Sequence, residues 1–201
     1  MLDFTQVELI DPESDATIGV EDKLEAHVNG NYHRAISVLI VDGAGKHLIQ
    51  QRAMGKYHCP ELWANACCSH PAPGESSDVA AKRRLREELG IEGELFHFGV
   101  LRYRASVPST SLHVSDDAGL IEHERVDLFC MQWDGECNPN PDEVQNTTSL
   151  GQSEALEIPP QERTPWFSLY LELFGEDLPK IVAACTAGSW THRDYGKYDL
   201  D

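Results

Sequence analysis

Residues 33–53 read HRAISVLIVDGAGKHLIQQRA. Apolar, mostly branched side chains run from Ala35 to Val41, the turn formers Asp42-Gly43-Ala44-Gly45-Lys46 follow, and a second run begins at His47. Branched residues suit a pleated surface and a Gly-rich segment reverses the chain, so the stretch predicts a β-hairpin. Residues 61–70 read as extended, and PAPGESS (71–77) then breaks the pattern. Asp78 to Leu89, DVAAKRRLREEL, predicts a helix capped by Asp78 or a nearby serine and ended by Gly90. Further strands are expected near 95–105 and 120–133. Residues 137–160 are rich in turn formers, with room for a short edge element. A last long helix starts at Thr164-Pro165, with proline in the favoured first position, and a shorter one is expected over DLPKIVAACT (177–186). Strands mixed with helices imply an α/β (α+β) sandwich around a mixed sheet.

The chain has 201 residues, which suits a single domain over 1–201, with its core at about 34–135 and a helical C-terminal part at about 160–190. Apolar runs exclude a disordered polymer, and none is long enough to span a membrane. The N-terminus is acidic rather than basic and apolar, so it does not read as a secretory signal, and a cytoplasmic location is expected. The net charge is −18, from 34 acids against 16 bases. Such a surface repels nucleic acid and anionic membranes, so neither is an expected partner, and an anionic small molecule would need a local cluster of bases or a metal. Many acids and few lysines also suit a high-salt cytoplasm. The six cysteines are expected to be reduced thiols, and the adjacent Cys67 and Cys68 are poor disulfide partners for each other.

Four constellations carry chemistry. In ANACCSH (64–70), strand alternation puts Cys68 and His70 on one face and turns Cys67 the other way, with Ala and Asn neighbours. In LIEHERVDLF (120–129), Glu122 and Glu124 share a face, where two carboxylates repel unless a cation or proton lies between them. His27 and His33 fall in an expected loop before the first strand of the hairpin. Three histidines and two glutamates would form a mixed nitrogen and oxygen site for a divalent metal such as zinc, manganese or iron, if the fold brings them together. On the 78–89 helix, Ala81, Leu85 and Leu89 form the apolar stripe; Glu88 sits about 60° from Leu85 with Arg84 one turn earlier. Glu87 lies nearly opposite Leu85, solvated or at a second metal position.

The stretch from Glu75 through Arg83 to LREELGI resembles the Nudix box, matching at Glu75, Arg83, Glu87, Glu88, Gly90 and Ile91. Ser69 stands where the box has its first glycine, and Arg84 where it has a glutamate. Both departures argue against an ordinary Nudix pyrophosphatase. Together with WANACCSHP, LRYRA, EHERVDLF and TPWF, the chain is similar to the type 1 isopentenyl-diphosphate isomerases of the Nudix superfamily, from about residue 23 to 166. The resemblance implies a Nudix sandwich with added N- and C-terminal elements. It implies Cys68 and Glu124 as catalytic groups, Tyr103 assisting proton transfer, and His27, His33, His70, Glu122 and Glu124 holding manganese, zinc or magnesium. The His27–His33 interval is one residue shorter than in some relatives. A second magnesium would sit on Glu88 and the Cys68 carbonyl, with Lys23, Arg52, Lys56 and Arg84 on the substrate diphosphate and Trp166 shielding a carbocation. The implied partner is an allylic or homoallylic diphosphate, with no flavin, and a monomer or weak dimer. The alternatives are a Nudix hydrolase and a metal or thiol-sensing module. Residues 106–118 read as a long surface loop.

Overall fold

Strand β3 (His33–Val41) is the axis of a ten-stranded sheet in the computed structural model, which describes residues 2–108 and 119–201. Before it come β1 (Gln6–Ile10), β2 (Thr17–Asp22) and helix α1 (Lys23–Asn29). After it come β4 (His47–Arg52), β5 (Trp63–Asn65), β6 (Cys67–Ser69), α2 (Ser77–Leu89), β7 (Phe96–Val107) and β8 (Leu120–Gln132). Then follow β9 (Val144–Leu150), α3 (Gln152–Glu157), α4 (Pro165–Phe174), α5 (Leu178–Thr186) and β10 (Arg193–Asp199). One edge of β3 pairs in parallel with β8 along its whole length. Its other edge is shared in turn by β1 at His33, β6 at Ile36–Val38 and β4 at Ile40–Val41, all antiparallel. The sheet is therefore mixed, and the architecture is α+β as expected.

This sharing corrects the hairpin. The turn forms as its composition dictates: the Asp42 carboxylate accepts from the Ala44 and Lys46 amides, and Gly45 takes φ 78°. But β3 and β4 stay paired only at Ile40–Leu48 and Val41–His47 before β6 occupies the edge of β3. β4 swings out to pair with β5 and β9. The expected extended run 61–70 is likewise two short strands, broken by a bend at Ala66 and paired to different neighbours. His27 lies on helix α1 and His33 is the first residue of β3, so neither is in a loop. Residues 109–118 of the expected surface loop lie outside the described residues; Ser106 and Val107 end β7.

Alternation along β3 sorts two cores. Ala35, Leu39 and Val41 join Phe167, Leu171, Phe174 and Val182 of α4 and α5 on one face. Ile36, Val38 and Ile40 meet Ala81, Leu85 and Leu89 of α2 on the other. Helix α2 starts at Ser77, with Asp78 inside its first turn and Ser76 at the N-cap position without a side-chain cap bond, so the expected cap does not form, while Gly90 closes the helix in the left-handed conformation as expected. Its entry loop is latched by Glu75, whose carboxylate accepts two bonds of 2.8 Å from the Arg83 guanidinium and one from the Ala72 amide. Thr164 caps α4 by accepting from the Phe167 amide. Among the described residues no helix is long and apolar enough to cross a membrane.

Strand β10, which no sequence signal announced, lies parallel to β7 at the sheet edge. Its close approach depends on Gly99: a Cβ there would sit 2.7 Å from the Arg193 carbonyl oxygen and against the Tyr195 ring. Gly99→Ala is therefore expected to destabilise the fold by about 1–3 kcal/mol, the range for overpacking. Denaturant unfolding would register the loss, and limited proteolysis should release the C-terminal strand first; an unchanged midpoint and cleavage pattern would contradict this packing.

Candidate active site

Register places the chemistry. In the sheet His33 of β3 faces Glu124 of β8, and Glu124 in turn faces Tyr103 of β7. Neighbours in register project to the same face, so these three side chains form one row, joined by Glu122 two residues along. On the far edge of β3, Cys68 pairs with Ser37. It lies on the same face as the row, while Cys67 is fully buried in the core beneath α2. The expected alternation at Cys67 and Cys68 is thus present. It fails for Asn65, which was expected on the Cys67 face. The bend at Ala66 resets the phase, and Asn65 Oδ1 lies 2.9 Å from Cys68 Sγ.

His27, His33, His70, Glu122 and Glu124 converge, with one donor atom from each lying within 4.8 Å of all the others. His27 Nε2 is 3.2 Å from Glu122 Oε2, and His70 Nε2 and Glu124 Oε1 are 2.8 Å apart. His33 Nε2 lies 3.2 Å from His70 Nε2. The outward ring nitrogens of His27 and His33 donate to the Lys23 and Asn31 carbonyls, which turns each Nε2 toward the cluster, where a cation would take the place of a proton. Buried His27 Nε2 and Glu122 Oε1 make no well-aligned hydrogen bond among the described residues and meet only each other's carboxylate and imidazole neighbours. Poorly satisfied donor atoms crowded around two carboxylates are what a cation would satisfy, so the five residues fit a divalent metal of borderline hardness.

The charges agree. Burial would raise the Glu124 carboxyl, but His33 and His70 hold it well below the ordinary carboxylate range. Glu122 is raised by burial, only partly offset by His27. Burial would lower His27, yet the Glu122 carboxylate outweighs it and lifts the imidazolium to about 9. Burial pushes His70 down to about 3, in spite of Glu124.

This row floors a cavity of about 340 Å³. Cys68, His70, Tyr103, Glu122, Glu124 and Trp166 line it, and Lys23, Arg52, Lys56 and Arg84 complete the wall. The cavity therefore has a floor of histidines and carboxylates, an aromatic wall and a cationic end in a strongly acidic protein. Tyr103 and Trp166 are both buried, with ring centroids 6.5 Å apart. Arg84 donates to Glu88 and Glu143, and Lys56 pairs with Glu143. Glu88, about 60° from Leu85 on the helix, is buried: its two oxygens accept from Arg84 and Gln50, and it does not line the cavity. Glu87 is exposed, bound to Arg83 and Arg84.

Several groups escaped the sequence reading, His58 and Glu143 on the cavity wall and Ser37 and Tyr170 behind Cys68. His58 stands between the two ends of the cavity, with Nε2 3.0 Å from Glu122 Oε1 and 3.2 Å from Arg52 Nη2, its ring stacked on His27. It sits in a loop held by Arg52, which donates to the His58 and Cys59 carbonyls, and whose Cys59 and Glu61 take positive φ. No periodicity could have announced it. Ser37 and Tyr170 did carry a signal: Ser37 shares the parity of His33, and Tyr170 lies one helical turn beyond Trp166. Glu143 lies in the turn-rich stretch and carried none.

The sheet, the α2 box and its Glu75–Arg83 latch define a Nudix protein, and residues 31–167 match the NUDIX domain. The chain is 41% identical over 169 residues to the isopentenyl-diphosphate Delta-isomerase of Streptomyces coelicolor, covering 83% of this chain and 81% of that one. It is 43% identical to the isopentenyl-diphosphate Delta-isomerase of Nocardia farcinica, covering 83% and 93%. In structure it is similar to DR0079 of Deinococcus radiodurans, with TM-score 0.61, 15% identity and coverage of 84% and 99%, a likeness of fold alone. Within the Nudix superfamily, the chain belongs to the isopentenyl-diphosphate Delta-isomerase family.

Metal titration of the stripped protein, followed by calorimetry, is expected to show one tight divalent site. His33→Ala and Glu122→Gln should each weaken it at least about tenfold, since each removes a direct ligand. Unchanged affinity in both variants would refute the five-residue site.

Proposed function

We propose that this chain interconverts isopentenyl and dimethylallyl diphosphate, with Cys68 and Glu124 exchanging the two protons. The observation that carries this reading is the placement of these groups. A thiol and a carboxylate from different strands face one cavity that also holds Trp166, with cations at one end. Moving a double bond by one carbon adds a proton to an alkene carbon and removes one from another, through a tertiary cation. One group supplies the proton and the other takes one. Tyr103, paired in register with Glu124, supports the exchange on that side.

The intermediate cation needs a place that water does not reach and a negative face. Trp166 supplies the ring. A metal on the His/Glu cluster, manganese, zinc or magnesium, would supply positive charge that keeps Glu124 ionised between proton exchanges. Lys23, Arg52, Lys56 and Arg84 are proposed to hold the diphosphate; Glu88 and the Cys68 carbonyl would hold substrate-borne magnesium only after Glu88 gives up its bonds to Arg84 and Gln50 and turns to the cavity. The residues of 1–201 are proposed to work as one unit, cytoplasmic, as a monomer or weak dimer. A hydrolase is disfavoured because Arg84 replaces a box glutamate and pairs with Glu88 at 2.8 Å.

Incubation of the purified chain with isopentenyl diphosphate and magnesium should yield dimethylallyl diphosphate and no inorganic phosphate. Phosphate release would favour the hydrolase, and no turnover the binding module. Cys68→Ser and Glu124→Gln should each abolish turnover, whereas Cys67→Ala keeps most of it; loss on the Cys67 side alone would reverse the assignment.

A pH effect follows from Lys23. Burial, and then repulsion from Arg84 and Lys56, lowers its ammonium to about 8. The cation is present below that value and is lost above it, so kcat/KM should fall as pH rises through about 8. Lys23→Arg, always charged, should remove that alkaline limb. A limb that persists unshifted in Lys23→Arg would assign it to another group.

A further inference from the structure

Behind Cys68 lies a line of buried polar groups that the metal site does not use. Asn65 Nδ2 donates to the Val38 carbonyl at 2.9 Å and to the Cys67 carbonyl at 3.0 Å. Both amide protons are spent. The reversed amide would press Oδ1 against two carbonyl oxygens, so the orientation is decided. Oδ1 then faces Cys68 Sγ at 2.9 Å and can only accept. The thiol must donate to it. Ser37 Oγ lies 2.9 Å from the same sulfur and 2.9 Å from Tyr170 Oη. With the S–H directed to Asn65, the sulfur is left to accept from Ser37, and Ser37 in turn accepts from Tyr170.

We propose that Tyr170, Ser37 and Asn65 are positioning residues for Cys68, forming a one-way hydrogen-bond chain Tyr170→Ser37→Cys68→Asn65. Every direction in it follows from the single fact that the Asn65 amide is spoken for. Four elements contribute: β3, β5, β6 and α4. The chain confines the sulfur between two fixed partners while Cys68 still lines the cavity. It also keeps one O–H donor on the sulfur while the proton is exchanged. Buried bonds in series polarise one another, so the far end at Tyr170 contributes as well. A bland cluster of mutually satisfied polar groups would share the distances, but it would not couple to turnover.

The catalytic part of this inference rests on the isomerase reading; the hydrogen-bond chain does not. In infrared spectra the S–H stretching band that disappears in Cys68→Ser identifies the Cys68 thiol. That band is expected to shift in Ser37→Ala and, by less, in Tyr170→Phe, which removes one hydroxyl and keeps the ring. In turnover of isopentenyl diphosphate, both variants should lower kcat, Ser37→Ala by about tenfold, the worth of roughly one hydrogen bond. KM and bound metal should stay at native values, and Ser37→Thr, which keeps the hydroxyl, should recover most of kcat. A band unmoved in both variants overturns the chain whatever the rates do. A moved band with kcat unchanged to within about twofold overturns the positioning role. If the native protein does not turn over isopentenyl diphosphate, the isomerase reading fails, and the infrared arm still decides whether the chain exists.

Discussion

The parallel pairing of β3 with β8 is the constraint on which the site depends. It sets His33 against Glu124 and runs unbroken to Val41 against Gln132. Because side chains alternate, a slip of one residue would turn Glu122 and Glu124 away from His33 and into contact with solvent or the opposite core. The register is held by both cores at once. Ala35, Leu39 and Val41 bury under α4 and α5, while Ile36, Val38 and Ile40 bury under α2. A strand buried on both faces has no register to spare, and precision at the His/Glu cluster comes from that apolar packing.

The same strand divides labour between its two edges. β8 on one edge brings the carboxylates, and β6 on the other brings the thiol. Cys68 and Glu124 therefore reach one cavity from strands on opposite edges of β3, the placement that the proposed proton exchange would use. The short length of β6 matters here. A full hairpin partner along β3 would have excluded it, so the divergence of β4 after two residue pairs is what admits Cys68 to the sheet.

Electrostatics follow from this layout. A chain of net charge −18 collects Lys23, Arg52, Lys56 and Arg84 around one cavity. Two of the four are held by acids, Arg84 by Glu88 and Glu143, and Lys56 by Glu143. Such pairing keeps like charges close together without a ligand. An anion entering the cavity meets cations whose geometry is already set, which lowers the ordering cost of binding.

Local signals in the sequence determined a good deal by themselves. The period of α2, its glycine stop, the Asp-Gly-Ala-Gly turn and Thr164-Pro165 are short-range chemistry, and each formed where its residues dictated. Parity alone separated Cys68 from Cys67 and put Glu122 with Glu124, because alternation within one strand needs no partner. Box residues and the Cys-x-His segment carried the family. What only the tertiary structure decided was everything set by a neighbour distant in sequence. β10 docks because Gly99 leaves room for it, and His58 is placed by a loop wrapped on Arg52. Asn65 meets Cys68 because a bend at Ala66 resets the alternation. The five donors converge because β3 chose β8 in one register. Pairing partners and register are long-range choices made by the burial of whole faces, and no local stretch of the chain contains them.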